Sequence, residues 1–235
     1  MSNGYFRFKQ FTVWHDRCAM KVGTDGVLLG ASVRVANSRR VLDIGTGTGL
    51  VALMLAQRCP EADITAVEIV QEAALQAREN VAESPWNNRI HVVQSDFKEF
   101  ASDARFDTIV SNPPYFVGSL LPPDKHRTSA RHTTELDYTT LLSHAAELLT
   151  PDGEITLIIP TMILDEVERI GQQFSLHSVR RLSVVTRHGV EPKRTVVTLS
   201  YRSESCEEQT LCMEDENRLF TDEYRRLVGD FYLNI

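Results

Sequence analysis

Apolar and polar residues alternate along this chain with two different periods, and the changes of period mark its elements. Phe6-Arg-Phe-Lys and Phe11-Thr-Val-Trp alternate every second residue, the pattern of a short hairpin. Val22 to Ala31 follows with helical spacing, and Thr24 or Asp25 is expected to cap a helix running to about Val35. Beyond it, short apolar runs at 41–44, 63–68, 89–95, 105–111, 153–160, 176–186 and 194–201 read as strands. Helical stretches alternate with them. Ala73, Ala74, Ala77 and Val81 share one side of a helix over 70–83, and Leu141, Leu142, Ala145, Leu148 and Leu149 share one side of another that Asp137 caps. Further helices are expected over 161–174 and 219–228. Strands alternating with helices predict an α/β, doubly wound, Rossmann-like fold. Its mainly parallel sheet has seven strands, the last two forming an antiparallel hairpin. Residues 1–36 are expected to be an N-terminal extension of hairpin plus helix, packed on a core domain of residues 37–235.

No apolar run approaches the roughly 18–20 residues that span a bilayer, and the first ten residues lack the apolar centre of a secretory signal. A cytoplasmic chain without membrane contact is therefore expected, and a monomer is taken as its oligomeric state. Cys18, Cys59, Cys206 and Cys212 form no C-x-x-C pair and no ligand rhythm with histidine, so reduced thiols and no metal are expected. The net charge of −7 argues against a simple polycationic nucleic-acid binder. The charge is unevenly spread, however. Arg180, Arg181, Arg187, Lys193, Arg194 and Arg202 face only Glu191 within 180–202, whereas 203–223 is strongly acidic, so the total can cover a basic face.

The candidate chemistry lies at strand ends. Val41 to Ile44 runs into Gly45-Thr-Gly-Thr-Gly49 and then a helix. Glycines there allow positive φ and remove the Cβ atoms that would block a ligand, and the helix N-terminus offers unpaired N–H groups. The spacing G-x-G-x-G departs from the G-x-G-x-x-G of a dinucleotide fingerprint, which weighs against a nicotinamide-dependent dehydrogenase. Glu68 ends the next strand nineteen positions beyond Gly49, where a carboxylate can accept both ribose hydroxyls. Asp96, after the third strand, can accept the amino group of an adenine, or cap a helix. Asn112-Pro113-Pro114-Tyr115 follows the fourth strand. The two prolines remove two backbone donors, leaving the Asn112 side-chain oxygen and the Pro113 carbonyl to hold an –NH₂ group by both hydrogens, while Tyr115 gives a planar substrate a face to stack on. Such acceptors localise the nitrogen lone pair and stabilise positive charge growing on it. The stretch 116–136, without periodicity, reads as a substrate-facing lid.

Leu42-Asp-Ile-Gly-Thr-Gly-Thr-Gly, Glu68, Ser95-Asp96 and Asn112-Pro-Pro-Tyr115 together resemble the class I methyltransferases dependent on S-adenosylmethionine, in their amino-group-modifying branch. Phe8-Lys-Gln-Phe-Thr-Val, His15 to Ala31, and Ser129-Ala-Arg-His-Thr are similar to the family of bacterial tRNA1(Val) adenine N6-methyltransferases. The resemblance implies that Asp43, Gly45 and Gly47 hold the methionine part of S-adenosylmethionine, Glu68 its ribose and Asp96 its adenine, with Thr24, Asp25 and Asn112 also near it. Asn112, Pro113, Pro114 and Tyr115 would receive the target base of a tRNA. Lys125, Arg127, Arg131, His132, Lys193 and Arg194 are the candidate RNA contacts. Related Asn-Pro-Pro-Tyr motifs also serve enzymes that methylate a release-factor glutamine, rRNA guanine N2 or DNA adenine, and a non-catalytic module that kept the pocket stays open as well.

Overall fold

The computed structural model of the chain describes residues 4–18, 21–35, 37–114 and 136–235. A hairpin, β1 (Tyr5–Arg7) and β2 (Thr12–Trp14), precedes α1 (Thr24–Ser32). The alternating core then runs β3 (Arg40–Ile44), α2 (Leu50–Arg58), β4 (Asp63–Glu68), α3 (Gln71–Ala82), β5 (Ile90–Gln94) and β6 (Phe106–Ser111). It continues through α4 (Tyr138–Leu148), β7 (Leu149–Pro160), α5 (Leu164–Gln173), β8 (His177–Val185), β9 (Arg194–Ser200), β10 (Glu207–Cys212) and α6 (Asp222–Val228).

Consecutive residues of a strand point to opposite faces, and this sheet supplies two cores that way. Val41, Ala66, Val110, Ile158 and Val196 pack toward α1, α2 and α6. Their neighbours Leu42, Val67, Ile109, Ile159 and Val197 pack toward α4 and α5. The strand order is β10-β8-β9-β7-β6-β3-β4-β5, parallel throughout except for β9, which runs antiparallel to both β7 and β8. The seven expected strands are all present, and β10 adds an eighth at the edge. Only Leu211 and Cys212 of β10 are buried, so it carries little apolar signal. Its acids are matched to the cations beneath: Glu207 pairs with Arg34, and Glu208 with Arg181 at 2.8 Å. Much of the basic stretch 180–202 is thereby neutralised, since Arg181 also pairs with Glu168 at 2.6 Å, Arg194 with Asp25 at 3.0 Å, and Arg202 with Glu154.

The start of α1 differs from expectation. Gly23 is the N-cap, with no side-chain cap bond; Thr24 and Asp25 lie in the first turn, and the helix stops at Ser32. Its position is set by close packing on α2. A Cβ on Gly30 would come within 2.7 Å of Met54 Sδ, and one on Gly26 within 3.0 Å of Leu50 Cδ2. That approach brings the first turn of α1 beside the first turn of α2. The hairpin packs through Phe8, Phe11 and Val13 into the same core layer, and Lys9 N donates to Phe231 O at 2.8 Å.

Candidate functional site

Between β3 and β6 the chain reverses the direction in which it lays down strands: β4 and β5 extend to one side of β3, β6 and β7 to the other. Connections leave on opposite faces at such a point and open a crevice at the carboxyl ends of the two strands. A cleft of about 350 Å³ occupies it. Its walls are the glycine turn after β3, Asn112, Pro113 and Pro114 after β6, and the approach to α1 from Lys21 to Gly26. Ser111 Oγ donates to Ile44 O at 2.8 Å and ties the two strand ends together.

Gly45 and Gly47 take positive φ, +69° and +57°, and nothing lies within 4 Å of where a Cβ would stand on either. The turn is therefore a cradle that side chains would fill. Gly45 N and Thr46 N both donate to Val67 O, at 2.9 and 3.1 Å, which fixes the turn to β4. Glu68, buried, completes it. Its Oε2 accepts from Gly47 N and its Oε1 from Val70 N, each at 2.9 Å. Each carboxylate oxygen keeps a further lone pair, so the group can still receive two hydroxyls.

Asp43 lines the cleft yet is only 1% exposed. Its Oδ2 accepts from Thr46 Oγ1 at 2.6 Å. Burial pushes its carboxyl up to about 7, against the Thr46 bond and a backbone bond from Ala52, with the Glu68 charge adding to the rise. Those bonds join the turn to the first turn of α2, a bracing role that sequence reasoning did not separate from ligand contact. Cys18 stands near enough to feel Glu68; burial first, then Glu68 and Asp16, push its thiol up to about 11, so it stays protonated at neutral pH.

The remaining expected site residues fall in several places. Asp96 follows β5, accepts from Lys98 N at 3.0 Å and caps a single 3₁₀ turn, Phe97–Glu99; Glu68 and Asp96 sit on neighbouring strand ends rather than in the lining of the 350 Å³ cleft. Thr24 and Asp25 do line it. Arg194, a candidate RNA contact, is bonded through Nε to Asp25 Oδ2 at 3.0 Å, which joins the start of β9 to α1. Lys193 is exposed, as are Arg187 and His188 in the loop that enters β9. Tyr115, Lys125, Arg127, Arg131, His132 and the expected lid lie outside the described residues. Sequence reasoning missed Lys21, Thr46 and Thr48 as cleft-lining residues. Both threonines alternate with the glycines of the turn, and that spacing was the available signal.

The model of the methyltransferase small domain matches residues 18–181. The chain is 51% identical, over the full length of both, to a tRNA1(Val) (adenine(37)-N6)-methyltransferase of Bacteroides thetaiotaomicron. It is 47% identical, over 99% of both, to the protein of that name from Aeromonas hydrophila. Among solved structures, a predicted O-methyltransferase from Agrobacterium tumefaciens superposes with a TM-score of 0.67, covering 90% of this chain and 100% of its own at 22% identity. A glycopeptide N-methyltransferase complexed with S-adenosyl-L-methionine superposes at 0.57, with 78% and 90% covered and 17% identity. At those identities the two structures speak for the fold alone.

Proposed function

From a chain that belongs to the methyltransferase small domain family, and within it to the tRNA1(Val) (adenine(37)-N6)-methyltransferases, we propose transfer of a methyl group from S-adenosylmethionine to the N6 amino group of adenosine 37 in tRNA1(Val), in the cytoplasm. The observation that carries the reading is the meeting of two motifs in one cleft, the glycine turn after β3 and Asn112-Pro113-Pro114 after β6.

The residues present fit S-adenosylmethionine. The open cradle at Gly45 and Gly47 would receive its methionine part, Glu68 has lone pairs for the ribose hydroxyls, and Asp96 has a carboxylate for the adenine amino group. When bound, the cofactor supplies an electrophilic methyl group. The chain's own part is to hold the acceptor nitrogen. The Asn112 side chain makes no hydrogen bond to another described residue, and Pro113 and Pro114 contribute no N–H to compete for its oxygen. Asn112 Oδ1 and the Pro113 carbonyl would accept both amino hydrogens of the adenine. That withdraws the nitrogen lone pair from the ring and leaves it directed into the cleft. The same two oxygens stabilise the positive charge that develops on nitrogen, and the product ammonium is acidic enough to lose its proton without a strong base. Tyr115 would stack on the base.

RNA would approach over the carboxyl edge of the sheet, with Lys193 and the neighbouring exposed Arg187 meeting phosphates. Arg194 supports this edge through Asp25. The adenine must leave the anticodon stack to enter the cleft, as in base-modifying enzymes generally.

The deciding experiment follows label from S-adenosylmethionine into tRNA of a strain lacking the gene, tRNA of the intact strain, and purified release factor. The expected outcome is label in the first tRNA alone, recovered as N6-methyladenosine. Label in release factor, or none in tRNA, would overturn the substrate.

A further inference from the structure

Asn80, on α3, is completely buried although it is a polar residue on a surface helix. Its amide is fully used. Oδ1 accepts from Trp14 N, and Nδ2 donates to Trp14 O, both at 2.9 Å. The second hydrogen of Nδ2 goes to Thr48 O, also at 2.9 Å. One side chain thus pairs with the edge of β2 as another strand would and, from the same nitrogen, grips the glycine turn. One helical turn earlier Gln76, 1% exposed, repeats the device: its Oε1 accepts from Arg17 N at 3.1 Å. Four residues beyond Arg17 the chain enters the cleft wall, with Lys21, Thr24 and Asp25 facing Thr46 and Thr48.

We infer that Asn80 is a positioning residue for the methyl donor, which sets the N-terminal segment against the glycine turn so that residues 21–26 close one side of the cofactor cleft. The physical reason is the geometry of a primary amide. An amide offers one acceptor and two donors from a rigid plane, so the Trp14 and Thr48 backbones cannot shift relative to each other while all three bonds hold. A buried polar group whose bonds are all satisfied favours a single arrangement over its neighbours, because any slip leaves a backbone group unpaired. Neither Trp14 nor Asn80 needs to touch the ligand. The inference rests on S-adenosylmethionine as the bound cofactor; wild-type protein that fails to bind it would undo that premise and not the clamp.

The test is Asn80→Asp, which keeps the shape and removes both donors, with Leu148→Ala in the opposite core layer as a folded control of reduced stability. Binding of S-adenosylhomocysteine is read by calorimetry, and turnover by separate KM and kcat values. Asn80→Asp is expected to bind S-adenosylhomocysteine at least tenfold more weakly and to raise KM for S-adenosylmethionine by a similar factor. Its kcat at saturation should change less than threefold, and the control's affinity should stay near wild type. Affinity within twofold of wild type in Asn80→Asp, or an equal loss in the control, would overturn the proposal. Should Asn80→Asp not fold, amide hydrogen exchange on the wild-type protein carries the test. Added S-adenosylhomocysteine should slow exchange at Trp14 and Arg17 together with Gly47 and Gly49, and a response confined to the glycine turn would refute the coupling.

Discussion

Substituting alanine for Gly47 separates the two reasons a glycine can be required. The first is backbone conformation. Gly47 has φ +57°, and an L-residue in that region costs roughly 1–2 kcal/mol. For a chain of this length that lowers Tm by about 2–8 °C, at roughly 2–4 °C per kcal/mol. No packing cost adds to it, because nothing lies within 4 Å of the new Cβ. The second reason is space for a ligand, and the same empty surroundings make it the larger effect, since the Cβ enters the cleft itself. Loss of S-adenosylmethionine affinity by about a hundredfold, some 2.7 kcal/mol, is expected. Gly49 provides the internal comparison. Its φ is +82°, so its strain is similar, but its Cβ would meet Ala77 Cβ at an ordinary 3.5 Å, away from the cleft lining. Gly49→Ala should therefore melt about as early as Gly47→Ala while retaining affinity to within about tenfold, or 1.4 kcal/mol. Titration calorimetry and thermal melts on both variants read the two quantities. Affinity within threefold of wild type in Gly47→Ala, or the same loss in both variants, would refute the cradle.

Three further outcomes are expected. Asn112→Ala should lower kcat by at least about 10²–10³ while cofactor affinity stays within a few-fold; a variant that turns over normally would remove Asn112 from the chemistry. Asp43 keeps its proton in the fold up to about pH 7 but gives it up near 3.8 when unfolded. The folded state thus binds the extra proton, and this group's contribution to stability falls as pH rises through that window, by at most about 1.4 kcal/mol per pH unit, then levels off. Asp43→Asn should accordingly gain on wild type from pH 4 to 7 in melting experiments, and parallel pH profiles would contradict the assignment. Removing Arg187 and Lys193 together should weaken tRNA binding and flatten its dependence on log salt by about 0.7–0.9 for each phosphate that is no longer neutralised; an unchanged slope would move the RNA path elsewhere.

Much of the site was legible because its signals are local. A glycine with positive φ, an acid at a strand end and an Asn-Pro-Pro run are each set by a few consecutive residues. Gly45, Gly47, Glu68, Asp96 and Asn112 could therefore be singled out before any contact was known. The misreadings have the opposite character. Thr24 and Asp25 have the side chains of helix caps, yet Gly23 is the N-cap of α1 and Asp25 pairs with Arg194. The pairing of Arg194 with Asp25, 169 residues away, is likewise invisible from the neighbours of either residue.

Neighbours within a turn or a strand suffice to set the alternation of strands and helices, the two-faced apolar pattern of the sheet and the chemistry offered at each strand end. The tertiary structure alone decided which charges survive as a surface. The acids of β10 lie on the cations of β8 and on Arg34 just past α1, and an ion pair depends on proximity in space, not along the chain. It also decided that Gln76 and Asn80 are interior residues. On their own helix they sit on a polar face, and only the docking of the N-terminal segment gives them partners, Trp14 and the glycine turn for Asn80 and the Arg17 backbone for Gln76. Polar side chains carry no mark of whether water or a backbone amide will satisfy them; that is settled when the hairpin excludes the water.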